Sequence, residues 1–160
     1  MGARTTPEPI EEVAVITLER NILLPVPLDD AVSYLEDFER TEEWDPGTVR
    51  CARVDEGPVR PGSTWHNTSR FRGRTTELDY RLKVREPARL VFEGVNSTVV
   101  ATDEMRFAAR SAEVTSLTYR ASFRFKGLAR LATPFLRTDF ERLADGVAER
   151  LPAAVTEHPR

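Results

Sequence analysis

The sequence predicts an α+β protein in which a curved antiparallel β-sheet wraps around one long C-terminal α-helix, with two short helices beside it. Three features carry this expectation. A strand and short helical segments come first, alternating strands with brief turn signals occupy residues 49–125, and a single amphipathic helix follows Gly127. Short links between consecutive strands favour antiparallel neighbours. A sheet that curls around one closing helix encloses more space than ordinary side chains fill, so the order of elements also predicts a cavity.

The elements follow in order. Residues 1–12 carry Pro7, Pro9 and several charges without periodicity, as expected of a loose tail. Val13, Val15, Thr17 and Glu19 alternate with Ala14, Ile16, Leu18 and Arg20, which reads as a strand ending near Leu24. Pro25 and Pro27 stop the sheet, and Leu28-Asp29-Asp30 opens a helix with its carboxylates in the first turn, where the helix dipole favours them. Ala31, Val32, Leu35 and Phe38 give that helix its buried stripe, and a second helical turn over residues 40–44 closes at Asp45-Pro46-Gly47. Strands are expected at about 49–55, 63–71, 74–85, 89–95, 98–109 and 113–125, separated by glycine, proline and asparagine breaks. The last helix should run from Leu128 to about Leu151, with a kink at Pro134 and a stop at Pro152. Its apolar arc is Leu128, Leu131, Ala132, Phe135, Leu136, Phe140, Leu143, Val147 and Leu151.

Alternation assigns the inner faces. Trp65, Asn67, Ser69 and Phe71 share one face of their strand, and its two aromatics mark that face as internal. The amide of Asn67 and the hydroxyl of Ser69 therefore turn inward, where polar groups need partners. Thr76, Leu78, Tyr80, Leu82 and Val84 form the apolar set of the next strand, and Leu117, Tyr119, Ala121, Phe123 and Phe125 that of the last. Between them Val99, Ala101, Met105 and Phe107 face inward and take Asp103 with them.

Composition narrows the function. A chain of 160 residues with 40% hydrophobic content has the usual size of one domain. Its formal charge of −3 supplies no positive field for a polyanion, so nucleic acid is not expected as a partner. Cys51 is the single cysteine, which excludes an internal disulfide and fits a reducing, cytoplasmic compartment. No apolar run approaches the roughly 20 residues that span a bilayer, so stable membrane insertion is not expected either. A monomer or homodimer fits the size.

Several short stretches carry a family resemblance. They are Pro61-Gly62-Ser63-Thr64-Trp65, Asn67-Thr68-Ser69-Arg70-Phe71 with Gly73-Arg74, Thr76-Glu77-Leu78-Asp79-Tyr80, Glu86-Pro87 with Leu90-Val91-Phe92-Glu93-Gly94, Thr102-Asp103, and Phe125-Lys126-Gly127-Leu128. With them the chain resembles the bacterial polyketide cyclase/dehydrase and lipid-transport family of the START-like, or SRPBCC, superfamily. The resemblance covers about residues 13–151 and implies the helix-grip fold, START-like and Bet v 1-like. It implies one ligand-binding domain over 13–151, with tails at 1–12 and 152–160. It also implies a small hydrophobic ligand, such as a lipid, polyketide or isoprenoid, held between sheet and helix. The rival expectation is a polyketide aromatase/cyclase or dehydratase, and a third is an interaction domain with a filled interior.

The candidate site follows from the inward faces. Asp103 is a possible acid or base, since burial disfavours a carboxylate's charged form. Tyr80 and Tyr119 present phenols suited to orienting or polarising a carbonyl. The expected cavity wall comprises Trp65, Asn67, Ser69, Phe71, Leu78, Tyr80, Asp103, Met105, Tyr119 and Phe123, with Phe135, Leu136 and Phe140 from the long helix. The bland alternatives are a carboxylate bonded to backbone donors or to Asn67 or Ser69, and tyrosines that anchor a core. His66 falls on the outward face, and with His158 far along the chain no metal-ligand cluster is formed. No cofactor motif is present. Arg70, Arg72 and Arg74 crowd one hairpin tip, either a solvated turn or a basic rim at the cavity mouth. Trp44-Asp45-Pro46 reads as a lip of the entrance or as a capped turn.

Overall fold

The computed structural model describes residues 14–157. The tail expected over 1–12 lies outside them. Seven strands form one antiparallel sheet: β1 (Ala14–Leu24), β2 (Thr48–Arg53), β3 (Thr64–Phe71), β4 (Arg74–Glu86), β5 (Arg89–Val95), β6 (Val99–Ala109) and β7 (Thr115–Phe125). Their order across the sheet is β1-β7-β6-β5-β4-β3-β2, so the six later strands are a meander and β1 closes its far edge against β7. Between β1 and β2 stand α1 (Leu28–Leu35), a 3-10 turn at Phe38–Arg40 and α2 (Thr41–Trp44).

The inner-face assignments for β3, β4, β6 and β7 hold except at Val84. The irregular register after Leu82 pairs it with Val91, which alternates with the fully buried Leu90 and Phe92, so Val84 turns to the outer face. Trp65, Asn67, Leu78, Tyr80, Leu82, Ala101, Asp103, Met105, Leu117, Tyr119 and Ala121 are all buried. Irregular register between Thr48 and Arg50, and between Leu82 and Val84, bends the sheet, since an extra residue on one strand increases local twist. The link from β3 to β4 is two residues, Arg72 and Gly73, with φ of 52° and 75°. Paired positive φ values match the right-handed twist of the strands in a hairpin.

The last helix differs from its expected course. After β7 a 3-10 segment at Gly127–Ala132 comes first, and α3 runs over Thr133–Glu157. Pro134 therefore sits in the first turn, where its missing N–H costs nothing, and no kink is required. Pro152 lies inside the helix and does not end it. One further turn survives because it buries Val155 beside Leu151, four residues earlier on the same face. Residues 152–157 are thus helix where a tail was expected, and only 158–160 of that tail lie outside the described residues.

α3 crosses β1. Phe140 and Ala144 pack on Ile16 and Leu18, while Val147, Leu151 and Val155 join the main core. Arg20 of β1 binds Glu141 at 2.6 Å and Asp145 at 3.0 Å, fixing the helix azimuth at an accessible edge. Gly146 lets the helix pass close to Pro46, whose Cγ lies 2.6 Å from where a Cβ would stand.

Candidate functional site

A cavity of about 200 Å³ opens between the concave face of the sheet and α3. It is smaller than the several hundred cubic ångströms usual for a ligand site. Aromatic rings fill the rest: Phe38 stacks on Phe92 at 4.3 Å and meets Tyr80 at 4.6 Å and Trp65 at 6.0 Å. Among the candidates, Asn67, Ser69, Phe71, Leu78, Tyr80, Asp103, Tyr119, Phe123, Leu136 and Phe140 line the cavity.

Three candidates do not. Trp65 is fully buried in the aromatic cluster, and Met105 is fully buried opposite Leu90 and Tyr119 on the inner face. Phe135 points outward and is 76% exposed, with Leu128 and Leu131 beside it. Phe135 lies within the first turn of α3, five residues before Phe140, and at 3.6 residues per turn it stands about 140° around the helix from that buried ring. Leu128 and Leu131 lie in the 3-10 segment, whose three residues per turn takes them off the α-helical stripe.

The inner end of the cavity carries a hydrogen-bonded pair. Tyr119 donates its phenolic hydrogen to Asp103 Oδ1. Burial is the chief cause that pushes the Asp103 carboxyl up to about 7; the Tyr119 hydrogen bond opposes it, and the charge of Asp45 adds to it. Burial first, then the same carboxylates, hold both Tyr80 and Tyr119 well above the ordinary phenol range. The tyrosines thus remain protonated donors while Asp103 exchanges its proton near neutrality. No hydrogen bond to the Tyr80 hydroxyl is present among the described residues. Its ring lies flat against Gly94, where a Cβ would stand within 2.6–2.8 Å of ring carbons.

A second polar chain crosses the wall from β3. Ser69 Oγ donates to Asn67 Oδ1 at 2.6 Å, Asn67 Nδ2 to Thr48 Oγ1 at 3.3 Å, and Thr48 Oγ1 to Asp45 Oδ2 at 2.9 Å. The inward polar groups of β3 therefore satisfy one another, without needing a ligand as first partner. Asp45 also accepts from the Gly47 amide at 2.9 Å, which makes it the cap of a tight turn as well as a cavity-lining carboxylate. Burial raises its pKa despite those two hydrogen bonds.

Asp45 is the functional candidate that strand periodicity did not find. It sits in a loop, where alternation says nothing about direction; the Asp-Pro-Gly turn was the only signal. Phe38 and Trp44 join the wall from the same connection, and Trp44 meets Tyr119 edge-on at 5.9 Å. His66 lies on the outer face, bound to Asp79 at 2.8 Å and Glu77 at 3.2 Å, partners that raise its pKa.

The opposite end of the cavity is its mouth. Exposed Arg70 and Thr98 and the half-buried Phe71, Phe125 and Leu136 line it there, so of the three hairpin arginines Arg70 stands at the rim, while Arg72 and Arg74 are not part of the wall.

The model of the family described as polyketide cyclase / dehydrase and lipid transport matches residues 15–156. No curated protein sequence matches the chain. Among similar solved structures is a START superfamily protein from Mycobacterium smegmatis, at 12% identity and TM-score 0.73, covering 88% of this chain and 97% of that one. The Zhui aromatase/cyclase from a Streptomyces species is 17% identical with TM-score 0.68, covering 88% and 91%. A norcoclaurine synthase from Thalictrum, in complex with a transition-state analogue, is 11% identical with TM-score 0.64, covering 91% and 97%. At such identities the likeness is one of fold, the helix-grip fold of START and Bet v 1 proteins.

Proposed function

Because the chain belongs to the polyketide cyclase/dehydrase and lipid-transport family, we propose that it binds a small hydrophobic molecule between sheet and α3, with a polar group of that molecule turned to Asp103 and Tyr119. The observation that carries this reading is an apolar chamber with one carboxylate–phenol pair at its closed end and an unpartnered Tyr80 hydroxyl beside it. A volume of about 200 Å³ lies below the roughly 300–1,000 Å³ of sites for drug-sized ligands, which suits one or two fused rings or the end of a longer molecule. A neutral two-ring fluorescent probe, 1-naphthylamine, should bind saturably, and Ala121→Phe should fill the chamber and abolish binding in a folded protein. Equal binding by that variant would place the probe elsewhere and sink the reading.

A second reading, a polyketide aromatase/cyclase or dehydratase, draws support from Asp45. Two carboxylates and two phenols share the chamber, where strand periodicity supplied one carboxylate and two phenols. In this reading Asp103 removes a proton next to a ligand carbonyl and Tyr119 or Tyr80 hydrogen-bonds the oxygen on which charge develops. Asp103→Asn would then keep probe binding and lower turnover by roughly two orders of magnitude or more. Turnover within a few-fold of wild type would leave binding as the function.

A further inference from the structure

Most large apolar side chains of this protein are buried, yet Leu128, Leu131 and Phe135 stand 85%, 67% and 76% exposed. They lie together for a geometric reason. Leu128 and Leu131 are one 3-10 turn apart, which eclipses them, and Phe135 follows four residues later as α3 begins. No residue of the Gly127–Ala132 segment is buried, so the three project from the surface and do not line a groove.

Charge along this stretch of the sequence is one-sided. From Ala121 to Thr138 the sequence holds Arg124, Lys126, Arg130 and Arg137 and no acidic residue, in a chain whose net charge is −3. The β3–β4 hairpin adds Arg70, Arg72 and Arg74 at the same end of the sheet, tied to α3 by Arg72 and Asp139 at 3.5 Å. Asp139 is thus engaged, and among the described residues Glu77 and Asp79 of β4 are both bound by His66. Arg130 and Arg137 have no ion-pair partner among the described residues.

We propose that this end of the protein docks on an anionic lipid bilayer, with Leu128, Leu131 and Phe135 entering the headgroup region and Arg130, Arg137, Lys126 and the hairpin arginines meeting lipid phosphates. Protruding apolar side chains ringed by cations match a bilayer interface, which has apolar depth beneath negative charge. A nucleic acid offers the charge without the apolar depth, and a protein partner would need pockets shaped for three separate side chains. The cavity mouth opens at this end, beside Phe125 and Leu136, so a docked protein would face its chamber to the membrane. The docking stands on the surface alone and does not depend on what the chamber holds.

The test is co-sedimentation of the full chain with vesicles of phosphatidylcholine alone or with one-third phosphatidylglycerol, at low and high salt. Binding should favour the anionic vesicles by roughly tenfold or more and weaken as salt rises. Leu131→Ser with Phe135→Ser, both exposed positions, should leave the melting temperature unchanged and cut binding by roughly tenfold. Arg130→Glu with Arg137→Glu should do the same while keeping the apolar residues, and covers the case in which the serine variant fails to fold. Absence of binding to anionic vesicles at low salt, or equal binding by wild type and both variants, would overturn the proposal. So would capture of an acidic soluble protein by this face without any affinity for vesicles.

Discussion

Tyr119 reaches Asp103 diagonally across the β6–β7 pair: Asp103 stands opposite Ala121, and Tyr119 opposite Met105. The small Ala121 side chain leaves the room through which the phenol approaches the carboxylate. A diagonal neighbour on an antiparallel pair is within reach of a long aromatic arm, whereas a short polar side chain at the same position would fall short. The result is a carboxylate with one strong donor at the closed end of an apolar chamber.

Stability should carry the signature of that buried carboxylate. In the unfolded chain Asp103 loses its proton near an ordinary value of about 3.9, and in the folded protein near 7. Between those values the folded state binds the extra proton, so this group favours folding below about pH 4 and its contribution is lost as pH rises through about 7. Relative to Asp103→Asn, wild type should lose on the order of a few kcal/mol between pH 4 and pH 7.5. Asp45, shifted in the same direction, is present in both proteins, so the comparison reads Asp103 together with its coupling to Asp45. Denaturant unfolding at several pH values checks this, and parallel pH curves for the two proteins would refute it.

Removing the phenol should raise the carboxyl further. The Tyr119 hydrogen bond is the influence that lowers the Asp103 pKa, so Tyr119→Phe should shift its titration upward and cost about 1–3 kcal/mol of stability. Carbon-13 chemical shifts of the Asp103 carboxyl followed against pH give the answer. A downward or absent shift would mean that the pair is not formed in solution.

Phe140 should be the most costly helix residue to truncate. Its ring stacks on Phe71 at 4.7 Å and on Phe123 at 4.4 Å, joining α3 to β3 and β7 across the cavity wall. Phe140→Ala should cost about 3–5 kcal/mol, whereas Phe135→Ala, five residues earlier on the exposed surface, should cost under about 0.5 kcal/mol. Thermal melts of the two variants compare them directly, and equal losses would contradict the assignment of inside and outside.

Gly94 should be coupled to Tyr80. A methyl group at Gly94 would stand within 2.6–2.8 Å of the ring, so Gly94→Ala must displace it and should cost about 1–3 kcal/mol. The cost should largely vanish in a Tyr80→Ala background, since the clash is then absent. Additive losses in the double variant would show that Gly94 is needed for another reason.

What the sequence determined by itself is the phase of the strands. Trp65, Asn67, Tyr80, Asp103 and Tyr119 all point inward as alternation requires, because side-chain direction along a strand is a local property with a fixed period of two. The breaks between strands were legible for the same reason, since Arg72-Gly73 and its like act through local backbone geometry. Tertiary structure alone decided which inward groups meet. Asn67 turned to Thr48 rather than to Asp103, Asp45 entered the chamber from a loop with no period, and Phe38 closed most of the space that the element order predicted. The ends of the last helix belong to the same class. Leu128 and Leu131 are outside because the chain enters α3 through a 3-10 segment, and burial of Val155 in the core, not the local preference of Pro152, decides where the helix stops.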